Sequence, residues 1–374
     1  MKVLTVVGAR PQFVKAAPVS RVLAIRHEEL LVHTGQHYDD AMSGSFFRDL
    51  EMAPLALNLE VGSGPHASQT AEIMRRLDPI IAEEEPDGVL VYGDTNSTLA
   101  GALVASKVQY RDGRRPWLSH VEAGLRSFNP AMPEERNRIV ADHLSDLLLA
   151  PTPAAMENLA HEGLGERSEL VGDVMVDSFR WAQSRSEGQL PQVARDLDGY
   201  LLVTLHRAEN VDDPARLAAL LAMLDLDRPV IFPVHPRTSD AISRAAIGLP
   251  PNVHAIDPVG YLAMVALECH AQAIATDSGG VQKEAYLAGV PCVTLRTETE
   301  WVETVAAGWN RVIGIDGGAL RAALDDAGFM DRARARPDLF GDGMAAKRIV
   351  AALEAIQQRH RATSTEQLAE ASRA

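Results

Sequence analysis

The chain has 374 residues, 46% of them hydrophobic, which at roughly 150 residues per domain is enough for two domains whose cores need no disulfide or structural metal. A net charge of −15 argues against nucleic acid or an anionic membrane as partner, so an anionic ligand must be held by local cations against the overall field. Two cysteines, no apolar stretch near the ~20 residues of a bilayer span, and an opening Met1–Val7 run that reads as a folded strand rather than a secretory leader point to a soluble protein of the reducing cytoplasm.

Short β-branched runs alternate with helical stretches along the chain: Val3–Val7, Gly88–Tyr92, Leu147–Ala150, Tyr200–Leu205, Pro229–Val234 and Ala273–Thr276. The alternation predicts an α/β fold of parallel sheets with helices on both faces. Helix starts are marked where Pro11 follows Gly8-Ala9-Arg10, Pro153 follows the N-cap Thr152, and Pro258 follows Asp257. The polar stretch Ser184–Pro191 belongs to the passage between domains. The boundary is placed near Leu170, giving a first domain over 1–170 and a second over 171–360, its last helix able to pack back on the first. The polar segment 361–374 is expected to fray. Cys292, inside the apolar run Val290–Leu295, reads as a core residue.

Ligands of open α/β sheets bind beyond the carboxyl ends of the strands, so the residues standing there are the candidates. After Val3–Val7 come Gly8, Arg10 and Lys15, at and just inside a helix start that favours anions; a capped helix with two surface cations is the plain alternative. The segment is not Gly-x-Gly-x-x-Gly, which argues against NAD. After Val89–Tyr92 stand Gly93 and Asp94, the latter also a natural helix cap. Ser119–Val121 leads to Glu122-Ala-Gly-Leu-Arg126. Glu134 and Arg138, four apart on the next helix, share a face as a site pair or an ordinary surface ion pair. In the second half, His206 and His235 end successive strands. Thr276-Asp-Ser-Gly-Gly280 reads as strand, turn and helix, with Ser278, Gly279 and Gly280 offering free amides to a diphosphate, and Glu284 placed to accept from two adjacent hydroxyls such as a ribose. Carboxylates in one half and a diphosphate seat with two histidines in the other describe a nucleotide-sugar enzyme.

Taken in order, Gly8-Ala-Arg-Pro11, Thr34-Gly-Gln-His37, Gly93-Asp-Thr95, His120–Arg126, Pro133-Glu-Glu135, His206-Arg207, Pro233-Val-His235 and Thr276–Gly280 resemble the non-hydrolysing UDP-N-acetylglucosamine 2-epimerases, over nearly the whole chain. The resemblance implies two Rossmann-like parallel-sheet domains facing across a cleft, of the GT-B type. It implies a UDP-sugar substrate, no cofactor and no metal, and usually a homodimer. The implied chemistry is removal of the C2 proton with departure of UDP from C1, then reprotonation of 2-acetamidoglucal from the other face and re-addition of UDP. By resemblance Asp94, Glu122 and Glu134 are the acid/base candidates, with the first base open among them, and His206 assists the departing phosphate. Arg10, Lys15, His235, Ser278, Gly279, Gly280 and Glu284 match UDP-binding positions, and Arg138 orients the carboxylates. Gln36 and His37, with Arg207, match a second, regulatory UDP-sugar site.

The chain departs from the commonest family opening at Ala9 and Gln12, and from the usual histidine motif at Ala208. With Gly93–Ser97 and Thr299–Glu303, these variants resemble a sub-branch that includes epimerases of UDP-2,3-diacetamido-glucuronic acid. The rival readings are a glycosyltransferase of the same fold, a hydrolysing relative that releases the free sugar, and a catalytically silent UDP-sugar sensor.

Overall fold

The computed structural model describes residues 1–35, 50–52 and 55–371, apart from the side chains of residues 10 and 363–371. Its contacts divide the chain into two units, 1–178 with 340–374, and 179–339.

The first unit is built on a seven-stranded sheet: β1 Lys2–Val7, β2 Glu28–His33, β3 Leu57–Asn58, β4 Gly88–Tyr92, β5 Trp117–Val121, β6 Leu147–Ala150 and β7 Ser168–Leu170. Every pairing is parallel, in the order β3-β2-β1-β4-β5-β6-β7. β4, β5 and β6 are buried at every residue, which is why they read as unbroken apolar runs. Leu4, Val6, Val89, Val91 and Leu118 pack against Ile73, Leu77 and Ile81 of the helix His66–Glu84 and against the small residues of the helix Asn96–Ala105.

The second unit repeats the plan with six parallel strands: β8 Leu201–Thr204, β9 Val230–Pro233, β10 Val253–Ile256, β11 Ala273–Thr276, β12 Cys292–Thr294 and β13 Asn310–Val312, in the order β10-β9-β8-β11-β12-β13. Cys292 is buried in β12, as its apolar surroundings predict. In each sheet the order reverses once, between β1 and β4 and between β8 and β11. Neighbouring helices must leave on opposite faces there, which opens a crevice at the carboxyl ends.

The closing helix Ala345–Ala371 belongs to the first unit, where it packs on the helix Arg10–Leu23. Its Gln357 accepts from the indole of the fully buried Trp117 at 2.7 Å and donates to Asp87 at 2.8 Å. The Asp177 carboxylate accepts from the amides of Ala345 and Ala346, capping the helix start. Three sequence-based placements shift accordingly. The division falls after Ser178, inside the helix Val174–Arg185, because no Gly/Pro linker marks it. The second unit stops at Leu339 rather than near 360, the last helix belonging to the first unit, a return the sequence leaves open. The helix runs through the segment expected to fray as far as Ala371, since Arg361–Ala371 contains no proline or glycine to stop it. The start expected at Pro258 is also displaced, to Tyr261, with Gly260 as N-cap. Among the described residues no helix is long and apolar enough to cross a membrane.

Candidate active site

The turn after β1 is held by Gln12, one turn into the first helix and buried. Its Oε1 accepts from the amides of Gly8 at 2.8 Å and Ala9 at 3.1 Å, while its Nε2 donates to the Tyr92 carbonyl at 2.8 Å and the Thr98 hydroxyl at 3.1 Å. One amide thus ties the end of β1 to the end of β4 across the switch point, using an acceptor and a donor that an ionised carboxylate does not combine. Gly8 is required by closeness: a Cβ there would stand 2.1 Å from the Ser97 hydroxyl and 2.3 Å from that of Thr34. Gln12→Met is expected to destabilise the protein by about 2–4 kcal/mol, since each orphaned buried donor or acceptor costs ~1–3 kcal/mol; urea unfolding midpoints measure it.

Two ion pairs stand beyond β4 and β5. Lys15 Nζ binds Glu122, and Arg138 binds Asp94. Burial works against the Lys15 charge, but Glu122 and then Asp94 outweigh it and raise the ammonium above its ordinary value. Arg138 also donates to Glu135 at 2.8 Å. Glu135 is buried, yet it accepts from the Ser127 and Phe128 amides as well, and these bonds outweigh burial and hold its carboxyl below the usual range. A Cβ on Gly93 would stand 3.2 Å from Glu122 and 3.3 Å from Lys15. Glu122 itself has φ +70°, in the left-handed region that a non-glycine residue enters at a cost.

Behind these groups lies a fully buried relay. His120 Nδ1 meets Asp142 at 2.7 Å and His120 Nε2 meets the Gly93 carbonyl at 2.7 Å. Asp142 also pairs with Arg126 at 2.7 Å and accepts from the Gly124 amide at 3.1 Å. The relay fixes both turns that carry Asp94 and Glu122.

The structure corrects two readings of single residues. Asp94 does not cap the following helix; Thr95 does, accepting from the Thr98 amide, which leaves the Asp94 carboxylate to Arg138. Arg138 takes its helical partner at three residues' spacing, Glu135, and not at four, Glu134. Glu134 lies half-buried in the first turn of the helix Pro133–Leu144. Lys15, matched by resemblance to a UDP-binding position, stands with the carboxylates. Arg10 opens the first helix at the switch point. Gln36 and His37 lie outside the described residues.

At the second switch point the organiser is Asp277, fully buried after β11. It accepts from the backbone amides of His206 at 3.1 Å and Arg207 at 3.0 Å and from Asn210 Nδ2 at 3.0 Å, and the His206 ring nitrogen lies 3.4 Å away. The His206 and His235 rings come together, with centroids 5.9 Å apart. Ser278 is the N-cap of the helix Gly279–Ala288, and Gly279 and Gly280 fall in its first turn, where amides have no helical acceptor. A Cβ on Gly279 would stand 2.2 Å from Glu300, whereas one on Gly280 would meet nothing nearer than 3.8 Å. The seat is therefore open over Gly280 and walled by Glu300, which Arg296 binds at 2.7 Å and Arg207 approaches at 3.5 Å. Glu284 is buried one turn further along.

The strand-end candidates thus fall into two groups, one per sheet. Sequence reasoning missed Gln12, Glu135, Asp142 and Asp277, which act through other residues. Asp277 was legible only as a neighbour of the glycine turn, and Asp142 carried no signal.

The family model for UDP-N-acetylglucosamine 2-epimerase matches residues 24–354. A UDP-N-acetylglucosamine 2-epimerase homolog of Methanococcus maripaludis is 48% identical over 323 residues, 84% of this chain and 89% of its own. The UDP-2,3-diacetamido-2,3-dideoxy-D-glucuronate 2-epimerase of Pseudomonas aeruginosa is 44% identical over 361 residues, 93% of this chain and 98% of its own. The crystal structure of Methanocaldococcus jannaschii UDP-GlcNAc 2-epimerase in complex with UDP-GlcNAc and UDP superposes with a TM-score of 0.83 at 38% identity, covering 95% of this chain and 99% of that one. The expected architecture, two Rossmann-like parallel sheets of the GT-B class, agrees with this likeness.

Proposed function

Because the chain belongs to the UDP-N-acetylglucosamine 2-epimerase family, we propose that it inverts carbon 2 of UDP-N-acetylglucosamine, interconverting it with UDP-N-acetylmannosamine. The observation that carries this reading is the paired arrangement beyond β4 and β5, where Lys15 holds Glu122 and Arg138 holds Asp94 within one crevice. Epimerisation must deliver protons to both faces of one carbon, which calls for more than one acid/base group, whereas a glycosyltransferase needs one base for its acceptor and a sensor needs none.

In the proposed reaction a carboxylate takes the C2 proton as the C1–O bond to UDP breaks. The C1–C2 double bond of 2-acetamidoglucal forms, and UDP leaves as the anion. Because the C2 proton is only weakly acidic, stabilisation of the departing diphosphate carries much of the barrier. The free amides of Gly279 and Gly280, the Ser278 hydroxyl, His206 and His235 supply it, and Asp277 fixes His206 by holding its backbone. Glu284 accepts from the ribose hydroxyls. A carboxylic acid on the other face then returns a proton to C2 and UDP adds back to C1. Asp94, Glu122 and Glu134 are the acid/base set, with Arg138 orienting Asp94. The homodimeric state usual in the family is part of the proposal, and light scattering measures it.

The test is incubation with UDP-N-acetylglucosamine in D2O, followed at C2 by NMR. Deuterium at C2 together with the manno epimer still bonded to UDP is expected. Release of free sugar instead identifies a hydrolase, and absence of exchange without an added acceptor removes the epimerase reading for this sugar. The identity to the Pseudomonas enzyme supports a second reading, the UDP-2,3-diacetamido-glucuronate 2-epimerase. The same experiment on that uronate distinguishes the two by the ratio of kcat/KM values.

A further inference from the structure

The helix Pro133–Leu144 holds Asp94 twice. Asn137 Nδ2 donates to the Asp94 backbone carbonyl at 2.9 Å, and Arg138 Nη2 donates to Oδ2 of its carboxylate. The first contact places the turn after β4. The second decides how the carboxylate is turned within it, because the terminal torsion of an aspartate is broad. A long arginine side chain does not fix its own guanidinium, and here Glu135 fixes it. The guanidinium is forked, with Nη1 donating to Glu135 Oε2 at 2.8 Å while Nη2 faces Asp94. Glu135 is pinned in its turn. Its Oε1 accepts from the amides of Ser127 at 3.1 Å and Phe128 at 2.9 Å, and its Oε2 from the Ser127 amide at 2.9 Å. Phe128 has φ +55°, in the left-handed region, a backbone form that lets successive N–H groups converge on one anion. An exposed ion pair at three residues' spacing contributes little. Glu135, however, is 3% exposed, and a carboxylate so buried stays ionised only where donors of this kind surround it.

We propose that Glu135 is a positioning residue for the epimerisation: anchored on the Ser127–Phe128 turn, it fixes the Arg138 guanidinium and through it aims the Asp94 carboxylate at the reacting carbon. The inference rests on the acid/base role proposed for Asp94. Each link is a contact between neighbouring groups, from turn to Glu135, from Glu135 to Arg138, and from Arg138 to Asp94. Arg138 engages Oδ2 of Asp94, whose side chain remains 32% exposed, so the carboxylate is held by one edge and stays accessible. Glu135 itself is buried, so it acts on the reaction through Arg138. The fork matters as much as the charge, since a point charge cannot span two carboxylates with two parallel donors.

The test is a double-mutant cycle on the full chain, read on UDP-N-acetylglucosamine, or on the diacetamido uronate if that is the sugar the native protein epimerises. Glu135→Gln keeps an acceptor oxygen for the two turn amides but sets an NH2 group against the Arg138 N–H, donor against donor. It is expected to lower kcat ~10–100-fold while KM and calorimetric UDP affinity change less than ~3-fold, because a misaimed carboxylate costs rate and not binding. Arg138→Lys keeps the charge without the fork and is expected to lose kcat by a similar ~10–100-fold. Glu135→Gln/Arg138→Lys is expected to turn over no more slowly than Arg138→Lys alone, since Glu135 then has no guanidinium to aim. All variants are assayed well below their own melting temperatures, which separates misaiming from unfolding. Native kcat in Glu135→Gln or in Arg138→Lys, with Asp94→Asn inactive, overturns the positioning role and leaves the role of Asp94 standing. Losses that multiply in the double variant overturn the route through Arg138. Near-native turnover in Asp94→Asn, or no epimerisation of either sugar by the native protein, removes the reading beneath the inference, and the inference with it.

Discussion

Asp94→Asn, Glu122→Gln and Glu134→Gln are each expected to lower kcat by ~10²–10⁴-fold, the range general acid–base groups contribute, while UDP binding stays within a few-fold. Steady-state turnover and calorimetric UDP titration measure the two quantities separately. The three substitutions should not behave alike. Asp94→Asn also removes the charge that Arg138 faces, leaving that guanidinium with Glu135, and Glu122→Gln leaves the Lys15 ammonium without its nearest anion. Both are expected to lose thermal stability as well as rate. Glu134 takes no part in those ion pairs, so Glu134→Gln should lose rate with the melting temperature unchanged. Near-native turnover in all three variants would falsify the acid/base assignment.

The largest effect on stability is expected at Asp142. Asp142→Ala strips from His120 its one carboxylate partner among the described residues, and from Arg126 one of two, at a His120–Asp142 pair with no exposed surface. Breaking a buried pair by removing one partner costs about 3–5 kcal/mol. For a domain of this size each kcal/mol moves Tm by roughly 2–4 °C, so a fall on the order of 10 °C is expected by calorimetry. Burial opposes the Asp142 charge, but His120 and then Arg126 outweigh it and hold the carboxyl below its ordinary value of 3.8. The sign follows: the contribution is fully present above 3.8 and is lost as pH falls through the lower value in the folded state. The stability gap between native protein and variant should therefore narrow in strong acid, as pH falls through the Asp142 titration. A gap that widened on acidification would contradict the assigned charge state.

The strands, and what ends them, were legible because parallel strands buried on both faces must be short unbroken apolar runs. β4, β6 and β11 coincide with their sequence runs residue for residue. The strand-end rule then selected Gly8, Asp94, Glu122, His206, His235 and the Ser278–Gly280 turn without coordinates. The domain division was less legible, because it falls within the helix Val174–Arg185 and no glycine or proline linker marks it.

The amino-acid sequence by itself determined the α/β class, the positions of the strand ends and the family, since these depend on local periodicity and on motifs read in order. Only the tertiary structure decided which charge meets which: Lys15 with Glu122 across 107 residues, Arg138 with Asp94 rather than Glu134, and Asp277 beneath His206 across 71 residues. The reason is physical. Propensity and hydrophobic pattern act over a turn or two of chain, whereas a buried charge is stable only beside whichever partner the folded backbone brings within a few ångströms, and chain separation carries no record of that distance.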